Sequence, residues 1–406
     1  MISPVETWVA KKTGHTRNLN PETLQYWQLD QLKSQIRHAK ENSRFYRDKL
    51  RANDNLTDLP FTFPEDISRD PLAFLAIPQS SVARVTTLAT SGTTGEKKRI
   101  FFSERDLART IDFFAAGMST LVHEGQKALI LISDETENSL GSLLKTALSG
   151  IGVSAQIWGS IQNAQETIDA ARGFDCLIGM PAEILYMSRT EPDLRPYSIL
   201  LTADYVPQCV ITGISKTWKC KVFTHYGLTE VGFGCAVDCD QHAGHHLRDA
   251  DLIIEIIDPE TGKPVDSGQR GEIVITTLRN EAMPLIRYRT GDISWLITEP
   301  CRCGGLLHTL GRIEGRYKNS ISLANGKSIS IHQLDELVFA DPGVRGYQAL
   351  LESHGGSDLL NLTIETNSTF DPNLLAAHLP PGLRIRVNHD TADPFRQRGK
   401  RIIHID

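Results

Sequence analysis

Residues 88–107 read "LATSGTTGEKKRIFFSERDL", placing Thr90, Ser91, Thr93 and Thr94 around Gly92 and Gly95, with Lys97, Lys98 and Arg99 directly after. Glycine tolerates positive φ and leaves no side chain in the way, so successive backbone N–H groups can turn toward an anion, flanked here by hydroxyl donors and cations. Such a loop can grip phosphate. It is not the GxxxxGK[ST] loop of P-loop nucleotidases, because only two residues separate the glycines and no Lys-Ser/Thr pair follows. The same composition suits a surface turn, and the loop alone does not decide between the two. A second group carries sulfur and imidazole. "CAVDCDQHAGHH" offers Cys235, Cys239, His242, His245 and His246, and "CRC" offers Cys301 and Cys303. Thiolates and imidazoles at short spacing suit tetrahedral Zn2+, for which three cysteines and one histidine form a closed, structural set. Cys176, Cys209 and Cys220 lie in apolar stretches and read as core.

The elements that must position these groups follow from periodicity. "SERD" at Ser103–Asp106 is a helix start with a serine cap. "NPETLQYWQLDQLKSQIRHAKENSRFYRDKL", residues 20–50, opens with an Asn cap and a first-turn Pro, then spaces Leu24, Trp27, Leu32, Ile36 and Tyr46 at near-helical intervals, which predicts one docking helix. From Lys127, the apolar runs "KALILIS", "SAQIWGS" and "DCLIGM" alternate with the amphipathic runs "LGSLLKTALSGIG" and "AQETIDAARGF". That alternation predicts βαβ units and a parallel sheet. "DLIIEIIDPETGKPVDSGQRGEIVITTL" predicts an appended antiparallel pair. "SISLANGKSISI" predicts a hairpin with Asn-Gly at its tip, followed by a helix at "HQLDELVF" and strands to the C-terminus.

Composition narrows the function classes. A chain of 406 residues suffices for two or three domains. The net charge of −6, with both signs interspersed, provides no basic face for nucleic acid or an anionic membrane, so small-molecule chemistry is expected. The first residues, "MISPVETWVAKKTG", contain no apolar signal core, and no run approaches the ~18 apolar residues of a membrane span. The expected location is the cytoplasm, where seven cysteines, an odd number, read as reduced thiols.

Four segments in fixed order, "SGTTGEKK", "FTHYGLTEVG", "MPLIRYRTGDIS" and "GRIEGRYKN", resemble the signature series of the adenylate-forming superfamily of acyl- and aryl-CoA ligases. "MPLIRYRTGD", "CRCGG" and the closing "RQRGKRIIHID" most resemble its phenylacetate-CoA ligase branch, over nearly the whole chain from Leu24. The resemblance implies an α/β adenylate-forming fold: a large N-terminal AMP-binding region, residues 1–315, with a parallel sheet and an appended β segment, and a small mobile α+β C-terminal domain, residues 316–406. It implies activation of a carboxylic acid, expected to be aromatic, to acyl-AMP and transfer to CoA.

Thr90 to Gly95 with Lys98 would hold the β- and γ-phosphates, Lys97 being the alternative lysine because the usual Pro before the Lys is missing. Tyr226, followed by Gly227, would lie against adenine, with Ala203 and Asp204 in the loop "LTADYVP". Thr229 would meet the α-phosphate, Glu230 would ligate Mg2+, and Asp292 would take the ribose hydroxyls. Arg312 and Arg316 would face ribose or phosphate, Lys318 would be the hinge, and Lys400 the adenylation lysine. Look-alikes within the branch map the zinc ligands to Cys239, His246, Cys301 and Cys303. Implied partners are ATP, CoA and a small carboxylic acid, without nucleic acid or membrane, and a homodimer is within what the resemblance allows. Two other readings remain open. One is an adenylating enzyme that hands AMP to a phenol, or the acyl-adenylate to another acceptor, without CoA. The other is a non-catalytic nucleotide-binding protein.

Overall fold

The alternation that starts at Lys127 folds as βαβ units. The computed structural model describes residues 2–50, 55–89, 97–133, 136, 138–317, 320–354, 356–366, 369–389 and 402–405. Within it, Lys127–Ile130, Ser154–Ile157, Cys176–Gly179, Ser198–Leu201 and Lys221–Tyr226 are strands, and they pair in parallel, the last through Lys221–Thr224. Counted along the chain, these five strands stand in the order 2-1-3-4-5. Cys176–Gly179 and Ser198–Leu201 are buried at every position, as strands covered on both faces must be.

The chain divides into two compact units: Met1–Thr120 with Glu135–Ile151 and His225–Glu314, and Leu121–Asp134 with Gly152–Thr224 and Gly315–Asp406. The second unit holds the parallel sheet and, from the C-terminal segment, the hairpin Ser320–Ser322/Ser328–Ser330, the helix Ile331–Val338 and a four-stranded sheet. Val344–His354 and Ser357–Thr366 form the antiparallel centre of that sheet, with Arg384–His389 and Ile403–Ile405 added in parallel at its edges. One apolar core joins Leu177, Ile199, Ile214 and Trp218 to Leu334, Phe339, Leu360 and Leu362. Polar contacts reinforce the junction. The Glu336 carboxylate accepts from the N–H groups of Gln208 (2.8 Å) and Cys209 (3.1 Å), the first residues of the helix Gln208–Trp218, whose early N–H groups have no partner within the helix. Arg189 donates to the carbonyls of Phe339 (2.7 Å) and Val344.

The first unit holds the helices Pro4–Thr13, Pro21–Asn42, Glu104–Met118 and Leu140–Gly150, and the hairpin Arg84–Ala89/Lys97–Phe102. It also holds the antiparallel sheet Leu252–Ile257/Gly271–Thr277/Tyr288–Ser294, whose first two strands are the appended pair expected from sequence. Ser103 caps Glu104–Met118 in a reciprocal box with Asp106. The helix expected over residues 20–50 ends at Asn42. Ser43 turns extended (φ −96°, ψ 125°), and its hydroxyl donates to Ala73 O at 2.9 Å. Tyr46 is drawn into the core, where its hydroxyl accepts from Ile286 N–H (3.0 Å) and shares a hydrogen bond with Thr62 Oγ1 (2.8 Å). Cys176 and Cys220 are buried as expected, whereas Cys209 is only half-buried because it opens an amphipathic helix. Burial pushes the Cys176 thiol up to about 12, which keeps it protonated and inert. Among the described residues, no helix is long and apolar enough to cross a membrane.

Tyr46→Phe removes the acceptor of a buried N–H while leaving the ring in place. Chemical denaturation should show a loss of about 1–3 kcal/mol, the desolvation penalty of the stranded Ile286 N–H. An unchanged midpoint would show that the hydroxyl does not hold this corner.

Candidate functional site

Two of the motifs brace each other inside the first unit. In "YGLTE", strand Lys221–Tyr226 ends at Tyr226, and Thr229–Val231 makes one tight turn that carries Glu230. A side chain at Gly227 would put its Cβ 1.7 Å from Phe233 O, so only glycine fits the approach of these two backbone stretches. "YRTGD" lies in the strand Tyr288–Ser294, where burial alternates and Tyr288 and Asp292 fall on the buried face. The Tyr226 hydroxyl donates to Asp292 Oδ2 at 2.9 Å, and the Tyr288 hydroxyl donates to Glu230 Oε1 at 3.0 Å. Each segment thus gives one phenol and one carboxylate. Burial pushes the Tyr226 phenol well above its ordinary value, and the Asp292 carboxylate adds to the shift, so it stays a donor.

Lys98, on the strand Lys97–Phe102, completes the cluster. Its ammonium pairs with Glu230 Oε1 and lies 3.4 Å from the Tyr288 hydroxyl. Burial alone would raise the Glu230 carboxyl, but the Lys98 ammonium, with help from Tyr288, brings it below the usual carboxylate range. Glu230 is therefore anionic at neutral pH, as a ligand for a hard cation must be. Lys97 is exposed, whereas Lys98 is largely buried against Glu230.

Thr229 is half-buried at the start of its turn. Arg312 also belongs to the first unit, and its carbonyl accepts from Ser294 Oγ at 3.3 Å. Ala203, Asp204 and Arg316 belong to the second unit. Ala203 has φ +69°, and Asp204 Oδ1 accepts from Tyr205 N–H at 2.9 Å. Thr90, Ser91, Gly92, Thr93, Thr94 and Gly95, expected to grip phosphate, Lys318, expected as hinge, and Lys400, expected as the adenylation lysine, lie outside the described residues.

Tyr288 was not among the expected site residues. Its signal was present all the same, because in both motifs a tyrosine precedes an acid by four residues. The neighbouring Arg287 and Arg289 point to other tasks. Arg287 donates to both Glu255 oxygens (2.9 and 3.1 Å) and to the carbonyls of Thr57 and Leu59, and Arg289 pairs with Glu272.

The sulfur and imidazole groups also converge within the first unit. One ligand atom each from Cys239, His246, Cys301 and Cys303 lies within 4.8 Å of all the others. Cys239 follows the strand Ala236–Asp238, His246 sits in His245–Leu247, and the two remaining cysteines lie in the loop between Leu296–Ile297 and Thr309–Leu310. The sulfurs of Cys239 and Cys301 are 3.7 Å apart, and Cys303 Sγ is 3.4 Å from His246 Nε2. A tetrahedron with Zn–S of about 2.3 Å and Zn–N of about 2.0–2.1 Å has edges of roughly 3.5–3.8 Å, close to these two separations, so the donor set suits that ion. Neighbouring groups hold these residues and the loop that carries them. His246 Nδ1 meets Thr309 Oγ1 (3.4 Å), Gly305 N–H donates to Cys303 Sγ (3.4 Å), and Leu306 N–H donates to Glu6 Oε2 (2.6 Å). Cys235, His242 and His245 fall outside this set.

No protein-family model matches the chain. It is 28% identical to the phenylacetate-coenzyme A ligase of Thermus thermophilus over 381 residues, covering 86% of this chain and 83% of that enzyme. To the phenylacetate-coenzyme A ligase of Aromatoleum evansii it is 28% identical over 394 residues, covering 90% and 86%. The chain is thus similar, over most of its length, to phenylacetate-coenzyme A ligases. Its fold matches 2-hydroxyisobutyryl-CoA ligase in the postadenylation state with a TM-score of 0.78, at 16% identity, over 92% of this chain and 88% of that one. The adenylate-forming architecture expected from sequence, a large α/β part with a mixed sheet and a smaller α+β part, is the one observed.

Tyr288→Phe leaves the buried Glu230 carboxylate with one donor fewer. A loss of about 1.5–3 kcal/mol is expected by denaturant titration near neutral pH, the range for hydrogen bonds to charged groups. Because the folded pKa of Glu230 is depressed, its ionic stabilisation is complete above the ordinary carboxyl range and is lost as pH falls through the folded value. The difference between parent and variant should therefore shrink in acid. A pH-independent difference would assign the loss to packing instead.

Proposed function

We propose that the chain activates a carboxylic acid with ATP and passes the acyl group to CoA. In the first step a carboxylate oxygen attacks the α-phosphorus, the bond to the β-phosphate breaks, and pyrophosphate leaves. In the second, the CoA thiol attacks the acyl carbonyl, AMP leaves, and the thiol proton passes to solvent. The observation that carries this reading is the cluster of Lys98, Glu230, Tyr288, Tyr226 and Asp292, since three segments resembling one enzyme family's motifs would gain nothing from sharing buried hydrogen bonds if they were unrelated loops. The phenylacetate-coenzyme A ligases among its relatives support an aromatic acid.

Each side chain has a role in this scheme. Asp292 takes the ribose hydroxyls while Tyr226 fixes the carboxylate from behind, with Ala203, Asp204 and Gly227 lining the adenine side. Lys98 moves from Glu230 to a phosphate oxygen when ATP enters, exchanging one anion for another within a buried site. Glu230, so released, would hold Mg2+, which supplies charge neutralisation at the phosphates. Thr229 meets the α-phosphate, Thr90 to Gly95 cradle the outer phosphates, and Arg312 and Arg316 serve the ribose or phosphate side. Adenylation and thioester formation need different groups at one centre, which a C-terminal segment moving about Lys318 supplies by alternation. Lys400 then stabilises the charge of the first step. The Cys239, His246, Cys301 and Cys303 set would hold a structural Zn2+.

Two experiments test the reading. Acid-dependent ATP–pyrophosphate exchange by Lys400→Ala should fall by a factor on the order of hundreds, the scale of losing one electrostatic contact in the transition state. Transfer from preformed acyl-adenylate to CoA should change far less, and equal losses in both steps would remove Lys400 from its role. Metal analysis of the purified protein should find about one zinc per chain, and Cys301→Ser with Cys303→Ser should lose both zinc and folding stability, because structural zinc contributes directly to folding. Zinc-free protein with unchanged stability would make the four residues a thiol cluster only.

A further inference from the structure

The parallel sheet of the second unit contains a carboxyl group that its own fold does not use. In a sheet ordered 2-1-3-4-5, the chain leaves the first strand in one direction and returns on its other side, opening a crevice beyond the carboxyl ends of strands one and three, and ligands bind there. In this chain those strands are Lys127–Ile130 and Cys176–Gly179. Their ends are held level with the next strand. Leu131 N–H donates to Ile178 O at 2.7 Å, and Thr202 N–H donates to Gly179 O at 3.0 Å. A Cβ at Gly179 would sit 3.1 Å from Ile184 Cδ1 and 3.2 Å from Leu131 Cβ, so the floor of the crevice is tightly packed.

Two residues beyond Gly179 begins the helix Pro181–Thr190, with Glu183 in its first turn. A Glu at the third position of a helix ordinarily reaches back to the N–H of the capping residue. Among the described residues Glu183 does not, and its Oε2 is buried with no hydrogen-bond partner. Burial alone pushes this carboxyl up to about 7, although a helix N-terminus by itself favours the anion. A buried polar atom left unsatisfied is a net cost, which a bound group able to pair with it would relieve.

We infer that Glu183 is a specificity-determining residue, which hydrogen-bonds a hydroxyl or amino group carried by the acid substrate away from its reacting carboxylate. The inference rests on the proposed acid activation. Ala203 and Asp204, assigned there to the nucleotide, follow the strand Ser198–Leu201 at the same carboxyl edge, directly after the Thr202 that bonds Gly179. An acid adenylated beside that loop enters the crevice beyond Gly179. A carboxyl group that is partly protonated near neutrality accepts from O–H or N–H and donates to a hydroxyl oxygen, whereas an unsubstituted phenyl ring leaves Oε2 unsatisfied. Sites built around such a hydrogen bond reject the analogue that lacks it far more strongly than apolar pockets reject one methylene.

The test is ATP–pyrophosphate exchange by the full chain with phenylacetate and with its ring-hydroxylated and ring-aminated derivatives, comparing parent, Glu183→Gln and Glu183→Leu, with thermal unfolding of each. The parent should favour at least one hydroxy or amino acid over phenylacetate by about tenfold or more in kcat/KM. Glu183→Gln, which keeps both donor and acceptor capacity, should retain a preference for the hydroxy acid, and in Glu183→Leu the ratio should collapse to within about threefold of unity. A parent that prefers phenylacetate, or a ratio that Glu183→Leu leaves intact, overturns the inference while the acid-activating reading stands. Absence of exchange with every acid overturns that reading and the inference with it.

Discussion

Tyr226 and Tyr288 each stand four residues before an acid, and each donates a hydrogen bond from its hydroxyl to the acid of the other segment. This exchange is the constraint on which the rest of the site depends. A carboxylate buried alone is driven to take up a proton, and only groups that favour the charged form hold it ionised. Glu230 stays anionic because Lys98 and Tyr288 reach it at once. Asp292 is oriented by Tyr226 on one oxygen, with its own N–H held by Thr290 Oγ1 at 3.0 Å. Neither acid could be placed by its own segment alone.

The surrounding polar groups of the first unit extend the same logic. The strand that carries Tyr288 and Asp292 on its buried face carries Arg289 on the other, and Arg287 directly precedes it; each arginine is joined to a carboxylate. Arg287 adopts φ +46°, an unusual conformation for a side chain of its size, and its guanidinium is fixed by Glu255 and by two carbonyls of the 57–59 segment. The strain and the desolvation are offset by a fully connected network, and removing one partner from such a network costs more than the pair gains. Tyr46 and Thr62 close this strand's start through Ile286. The Cys/His set is likewise held from outside, by Glu6 on the loop after Cys303 and by Asp249 on His308 N–H (2.9 Å).

In the second unit the sheet order, rather than a hydrogen-bond network, decides what meets at one edge. The chain reverses direction across the sheet beside Gly179, and the carboxyl edge there carries both the Ala203–Asp204 loop and the helix of Glu183. The C-terminal segment is docked in this unit by an apolar core, by Glu336 on a helix start and by Arg189 on two carbonyls. A C-terminal segment that alternates between positions must exchange these contacts for others of similar strength, so their net cost sets the balance between states.

The sequence by itself determined the local elements and the chemical inventory. Strands and helices from Lys127 onward, the Ser103 cap, the hairpin around Asn325 and Gly326, and the Cys/His set all follow from nearest-neighbour physics: side-chain period, capping groups, turn residues and ligand spacing. The helix expected over residues 20–50 overran at Asn42 because Tyr46 answers to Thr62 and Ile286, partners that periodicity does not see. Only the tertiary structure decided which tyrosine meets which acid, that Lys98 and not Lys97 faces Glu230, and that Glu183 is left without a partner among the described residues. Each of these is a contact between groups far apart in the chain. Their distance is set by how strands are ordered and how helices pack, and the residue types at either end do not encode it.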